Sequence, residues 1–338
     1  MKINALIYGL LMGIIFCSCG DNDEASPSHA EKNWYVIEYD PNASELDQLR
    51  YDIYMKTGFP IYYNDTLNTQ IRYDKGGNPY TYYEVFQTGY VYSGQTSGRI
   101  YTLQRDEGKI RMMMELLRDY VLEPYIAKEY GTGFNGRYGA NAYLLVDTLF
   151  DSYKRPDSLY FELGVMALST RYTMTREKSF ISVDLLTEEE KERYGWNLAM
   201  VELKRYFEKN YEERFEAYYA ITTETPDFYE RWDKRDLFEI KDGMSSYNYA
   251  DKKNPAYDAD FTTNPRKYGV LEYNKVDKNS VYFPLRLEDL SDFTKMIYTK
   301  TDAEIRAEHG DYPMIIKRYE TLLQLFKDSG LTQFIKEQ

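Results

Sequence analysis

The hydrophobic pattern of this chain changes period several times. Trp34 to Tyr39 alternates like a strand and stops at Asp40-Pro41. Ser44 stands as an N-cap before a short helix, Glu45 to Lys56. Phe59 to Tyr63 reads as an extended segment ahead of an Asn64-Asp65 turn, and Asp74 to Pro79 as a further turn. Tyr80 to Tyr92 is aromatic and β-branched, which suits a strand or an irregular segment. Arg105 to Lys128 carries Ile110, Met113, Leu117, Tyr120 and Val121 at helical spacing, closed by Gly131 and Gly133. Ala142 to Phe150 is a strand, and Leu159 to Thr173 contains another.

The second half is mostly helical. Thr187 and Glu190 make a capping box that opens a helix running to about Asn210, with Leu198, Val201, Leu203 and Phe207 as its apolar positions. Tyr211 to Ile221 continues it or begins a second helix. Lys241 to Asn279 is rich in Asn, Asp, Gly and Pro and reads as loop. Leu287 to Tyr298 is helical again, and Thr301 with Glu304 forms a second capping box. Asp311 and Pro313 start a last helix. Ile315, Ile316, Tyr319, Leu322, Leu323 and Phe326 face inward along it, and Gly330 ends it. There is no internal repeat. Mixed α and β first, then helices, predicts an α+β fold.

Ahead of these elements lies a leader. Lys2 precedes an apolar run from Ile3 through Phe16, which is short for a bilayer span and suits a signal peptide. It ends in Phe16-Cys17-Ser18-Cys19-Gly20, small residues before a cysteine, which is what a lipoprotein signal peptidase cuts. Phe16 stands where Leu is usual. The expectation is cleavage after residue 18 and lipid on Cys19; an ordinary secretory signal is the plainer alternative. Acyl chains contribute about 0.8 kcal/mol per buried CH₂, so several together anchor firmly. Residues 19–33 are polar and acidic, a flexible tether. They also resemble the acidic signal that carries lipoproteins of some gut bacteria to the outer face of the outer membrane; a plain spacer is the other reading. The expected organisation is a leader at 1–18, the tether at 19–33, and one folded unit at 34–338 whose two lobes meet near residue 185.

Composition narrows the chemistry. The 2 cysteines, Cys17 and Cys19, both lie ahead of the folded part, which therefore has no thiol and no disulfide. With 42 Lys+Arg against 55 Asp+Glu the formal charge is −13, and loss of Lys2 makes the mature chain one unit more negative. That charge repels phosphate backbones, so nucleic acid is not an expected partner. The 37 tyrosines suit either a binding surface for sugars or simply strands and half-buried positions. Of the 2 histidines, His29 lies in the tether and His309 near a helix end, where histidine commonly caps carbonyls or meets solvent. A zinc site with two histidines cannot be built from one, and cysteine cannot substitute. Any Ser-His-Asp triad would need His309. Gly76-Gly77 lacks the spacing and lysine of a phosphate loop. Asp258-Ala259-Asp260 opens like a calcium loop without its turn glycine and final glutamate, and reads as a solvated loop. Acidic residues are numerous, but sequence spacing singles out no pair for glycoside hydrolysis.

Several segments in series carry a resemblance. Thr57 to Asp65 is an extended stretch; Leu116 to Tyr125, with Leu122-Glu123-Pro124-Tyr125, is a helix; Ala142 to Leu149 is a strand. Leu198 to Asn210 is a second helix that includes Val201-Glu202-Leu203-Lys204-Arg205. Leu287 to Met296, with Glu288-Asp289-Leu290-Ser291-Asp292-Phe293, is an acidic helix, and Tyr312 to Asp328 closes the series. In this layout the chain resembles the zinc-binding metallopeptidase lipoproteins of carbohydrate-scavenging bacteria, over most of residues 34–338. The resemblance implies a zincin-like α+β fold. It sets Val201 and Arg205 at the two zinc-histidine positions of His-Glu-x-x-His, Glu202 at the general-base position, and Asp292 at the acidic third ligand. Both histidines are therefore replaced, and the remaining carboxylates beside an arginine would not hold zinc. Arg205 would instead pair with Glu202, three residues before it, or with Asp292. Without the alignment, Glu202 is an ordinary helical surface acid.

These readings imply no cofactor and a degenerate metal site. The expected function is a surface-exposed outer-membrane lipoprotein, held to the membrane by its lipid. It would bind a polysaccharide or protein beside an outer-membrane transporter, without catalysis. A hydrolase using other carboxylates and a structural subunit of a surface complex are the alternatives.

Overall fold

The computed structural model of the protein describes residues 35–86, 99–126 and 138–336, apart from 152, 163, 175–179, 222–263, 274, 277–280 and 283. The leader, the tether with Cys19 and His29, Gly131, Gly133 and the Asp258–Asp260 stretch lie outside the described residues.

The centre of the fold is β5, Ala142–Phe150, a nearly continuous apolar run buried on both faces. It pairs in parallel with β1 (Ile61–Tyr62) and with β7 (Val165–Ser169), and antiparallel with β4 (Ile100–Leu103). β6 (Leu159–Glu162) turns back on β7 and forms the sheet's antiparallel edge. Successive side chains of β5 point to opposite faces. Tyr143 and Leu145 enter the larger core with Met166 and Leu168, beneath the helices. Ala142, Leu144 and Val146 enter a smaller core with Val165 and Ala167, roofed by Ile37, Tyr54, Leu67 and Phe86.

The first helix, α1 (Glu45–Thr57), has the expected Ser44 cap, whose oxygen accepts from the Asp47 amide. The long apolar stretch from residue 105 divides in two. Asp106 caps α2, Glu107–Leu117, and a π-helical segment, Arg118–Ile126, follows directly. Pro124 supplies the reason. In an α-helix the Tyr120 carbonyl would accept from residue 124, but proline has no N–H, and the wider turn shifts the pairing by one residue. The next helix, α3 (Glu188–Asn210), opens with the expected Thr187/Glu190 capping box and crosses this π-helical segment. Gly195 lies at the crossing: a Cβ there would sit 2.2 Å from the Tyr120 carbonyl oxygen.

Tyr211 separates α3 from α4 (Glu212–Ala220), so this stretch is a second helix. Then come α5 (Arg286–Thr299), α6 (Asp302–His309) with its Thr301/Glu304 capping box, and α7 (Pro313–Ser329), which ends at Gly330 in the left-handed conformation. One buried cluster runs from α1 and the sheet through α3 to α7. The described residues thus make a mixed α/β fold, in which α1, α2 and the π-helical segment are interleaved with the strands of the sheet and helices predominate from residue 188 on.

Leu159 to Thr173 contains the expected strand and a second one, because Gly164 reverses the chain between β6 and β7. Two expectations need correction. Residues 36–40 form no strand; their alternation reflects Ile37 reaching into the smaller core while Glu38 and Tyr39 face out. His309 neither caps nor meets solvent. It is buried beside Glu308 at 3.5 Å, and burial holds its pKa below the usual value.

The close crossing at Gly195 makes a direct prediction. Gly195→Ala forces α3 away from the π-helical segment and should lower unfolding stability by about 1–3 kcal/mol in urea titrations. An unchanged midpoint would mean that the crossing is looser than described.

Candidate functional site

The helix that carries Val201, Glu202 and Arg205 lies on the sheet face that bears Tyr143. Capping at Thr187 and a run of good helix formers fix α3, and Leu198, Leu203 and Phe207 bury one side of it. Glu202 falls on that apolar side and is 1% exposed. A carboxylate so placed must find hydrogen-bond donors. Its Oε1 accepts from the Ala140 amide at 3.1 Å and from the Tyr143 hydroxyl at 3.2 Å. Its Oε2 accepts from Arg205 Nη1 at 3.0 Å. The guanidinium of Arg205 in turn stacks on the Phe161 ring of β6. Beside this group the Tyr138 hydroxyl donates to the Ala199 carbonyl at 2.8 Å. One carboxylate therefore joins α3 to the start of β5 and, through Arg205, to the edge strand β6.

The electrostatics follow from burial. Desolvation raises Glu202 from 4.5 to about 7, against the opposing pull of Arg205, Tyr143 and the Ala140 amide. Desolvation and the neighbouring Glu202 push the Tyr143 hydroxyl well above its usual value, so it stays protonated and donates. Burial draws Arg205 below its usual value while Glu202 opposes the shift.

Of the residues singled out in the sequence, the structure joins Glu202 and Arg205, and Glu202 is not a surface acid. Val201 is half-buried and packs on the core. Asp292 is exposed on α5. The helices α3 and α5 pack directly on each other, with Trp196 Nε1 donating to Ser291 Oγ at 2.8 Å. Among the described residues no group of three or more histidines, cysteines and carboxylates could hold a metal ion. The donor set also does not fit zinc: Val201 offers no ligand, Arg205 brings a cation, and Glu202 already accepts three hydrogen bonds. Two surface hollows of about 290 and about 250 Å³ lie beside the π-helical segment, and neither is lined by Glu202, Arg205 or Asp292. The carboxylate is thus enclosed by its own partners, in a position to organise packing.

A second buried charge escaped the sequence reading. Arg318, on α7, is fully buried and pairs through both terminal nitrogens with Asp289 of α5. Its Nη1 also donates to the Gly269 carbonyl at 2.6 Å. The Tyr218 hydroxyl donates to Asp289 Oδ2 at 3.0 Å, and the guanidinium packs against the Tyr218 and Phe293 rings, 4.2 and 4.4 Å from their centroids. A signal was present: Arg318 occupies the apolar stripe Ile315, Tyr319, Leu322, Phe326 at helical spacing, a place where an unpaired charge is not tolerated.

No family model, no curated protein and no solved structure matches this chain. Among the described residues no helix is long and apolar enough to cross a membrane.

Two measurements check these sites. Because the folded state raises Glu202 from 4.5 to about 7, it binds the proton more tightly than the unfolded chain does. The resulting stability is complete below about pH 4.5 and is lost as pH rises through about 7. Thermal midpoints from pH 4 to 8 should therefore fall more for the wild type than for Glu202→Gln; parallel curves would contradict the assignment. For the second pair, Arg318→Met leaves Asp289 buried without its partner and should cost about 3–5 kcal/mol of unfolding stability. Asp289→Leu combined with Arg318→Met should recover much of that loss, and two simply additive losses would argue against the pair.

Proposed function

We propose that this chain is a non-catalytic, zincin-like lipoprotein, anchored through Cys19 at the outer membrane and facing the cell exterior. In this reading it binds a polysaccharide or a protein beside a nutrient importer. The anchoring rests on the leader and its cysteine; the zincin-like scaffold rests on the resemblance and on the order of its elements. An extended segment, a helix, a central strand, the Glu202 helix against that strand, an acidic helix packed on it and a closing helix follow one another as the resemblance implies.

The enclosure of Glu202 carries the non-catalytic part. A general base must reach a water or substrate atom at hydrogen-bond distance. Here both carboxylate oxygens already accept from Ala140, Tyr143 and Arg205. A value near 7 would suit acid–base work, but in this setting it follows from burial.

The full chain incubated with peptide and polysaccharide substrates, with and without added zinc, should release no product, and zinc should leave its thermal midpoint unchanged. Product release that disappears in Glu202→Gln would overturn the reading. Cys19→Ala should move the protein from the membrane fraction to the soluble fraction; persistence in the membrane would remove the anchor.

A further inference from the structure

Outside the main sheet stands a two-stranded antiparallel ribbon, β2 (Thr66–Tyr73) and β3 (Pro79–Val85). Its base is held in the smaller core by Leu67 and Phe86. The cross-strand register sorts its side chains cleanly. Arg72, Tyr82 and Glu84 share one face, where Arg72 stacks 3.5 Å from the Tyr82 centroid and the Tyr82 hydroxyl donates to Glu84 at 2.9 Å. Thr69, Ile71, Tyr73, Pro79, Thr81, Tyr83 and Val85 share the other. That second face is the apolar one, and it is exposed: Ile71 58%, Tyr73 69%, Tyr83 56%. A free ribbon would normally turn its charged face outward and its apolar face toward the body. Two exposed tyrosine rings with Ile71 beside them give this face apolar surface and hydroxyls that a ligand could cover.

We propose that this face binds a neutral polysaccharide chain, which names the ligand class of the binding function inferred above and rests on that reading. Shape, charge and chemistry support one occupant. The face is about 25 Å long, from eight residues at about 3.3 Å each, and about 10 Å wide across two strands. Its area is therefore on the order of 250 Å², well below the roughly 800 Å² per partner of a standard protein interface. A slender linear ligand fits that footprint; a globular partner or a second copy of the chain needs more. None of these side chains is charged, and the chain as a whole is at −13, so an anionic polymer would meet repulsion without a compensating cation on the face. The rings of Tyr73 and Tyr83 offer flat faces for the C–H faces of sugar rings, while their hydroxyls and that of Thr81 offer hydrogen bonds to sugar hydroxyls. Tyr83 lies opposite Thr69, four residues from Tyr73, so the rings stand about 13 Å apart along the ribbon. A chain of several sugar units spans them.

Native affinity gels containing xyloglucan, mixed-linkage β-glucan, galactomannan or amylopectin, with polygalacturonate as the anionic control, test this on the full chain. At least one neutral polymer should retard the wild type, and polygalacturonate should not. Tyr73→Ala/Tyr83→Ala should weaken retention at least tenfold with an unchanged thermal midpoint, since both residues are exposed, and Tyr73→Phe/Tyr83→Phe should keep most of it. Failure of all four neutral polymers to retard the wild type would overturn the proposal. So would a wild-type dimer in sedimentation that the alanine variant dissolves, because a second copy would then cover the face. Retention unchanged in the alanine variant would overturn the ribbon as the site and leave the binding function standing. Release of reducing ends from a retained polymer would overturn the non-catalytic reading and leave the ribbon standing.

Discussion

Placing a carboxylate in a hydrocarbon core costs several kcal/mol unless donors meet both of its oxygens. The contact between α3 and the sheet is arranged around meeting that demand at Glu202. The donors come from the central strand and from α3 itself: Ala140 at the entry to β5, Tyr143 within it, and Arg205 one turn along the helix. Because Arg205 is committed to Glu202, its guanidinium sits over the Phe161 ring and ties in the edge strand β6. Sliding α3 along the sheet would break the contacts to Ala140, Tyr143 and Phe161 together. The carboxylate therefore fixes the register of the helix, and the same enclosure removes it from chemistry.

The helical half repeats the device with different partners. Asp289 and Arg318 join α5 to α7, Tyr218 brings in α4, and the Gly269 carbonyl brings in the turn before α5. A chain without disulfides in its folded part has few ways to specify one arrangement of four helices. Hydrogen-bonded ion pairs inside an apolar core do so by direction, where packing alone would allow alternatives of similar volume. The crossing at Gly195 serves the same end by contact distance: the π-helical segment made necessary by Pro124 presents Tyr120's carbonyl to a position only glycine can occupy.

Much of this was legible in the sequence, for physical reasons that differ by element. The helices at 45–57, 188–210, 302–309 and 313–329 announced themselves because their caps are local: Ser44, Thr187, Thr301 and Gly330 act on residues within one turn. The central strand showed as an unbroken apolar run. Three things were hidden. Proline inside a helical pattern marks a disturbance at 124 but does not say that it becomes a π-helical turn. Alternation at 36–39 reports half-burial, which an unpaired segment over a core produces as well as a strand does. Pairing between Asp289 and Arg318, or between Glu202 and Tyr143, depends on tertiary proximity that no spacing encodes; only the i,i+3 partner, Arg205, could be read from the sequence itself. Of the β2–β3 ribbon only the Asp74–Pro79 turn and the strand character of the residues from Tyr80 on were legible; the strand at Thr66–Tyr73 and the side that faces water were not.

A double-mutant cycle on Glu202 and Tyr143 tests the central claim most directly. Unfolding free energies of the wild type, Glu202→Gln, Tyr143→Phe and the double variant are compared at pH 8, where the carboxylate is charged. If Glu202 is the buried tie between α3 and β5, the two substitutions should be non-additive, with a coupling of about 1.5 kcal/mol or more, as expected for a hydrogen bond to a charged group. Additivity within about 0.5 kcal/mol would contradict it, and would mean that the carboxylate is free to act elsewhere.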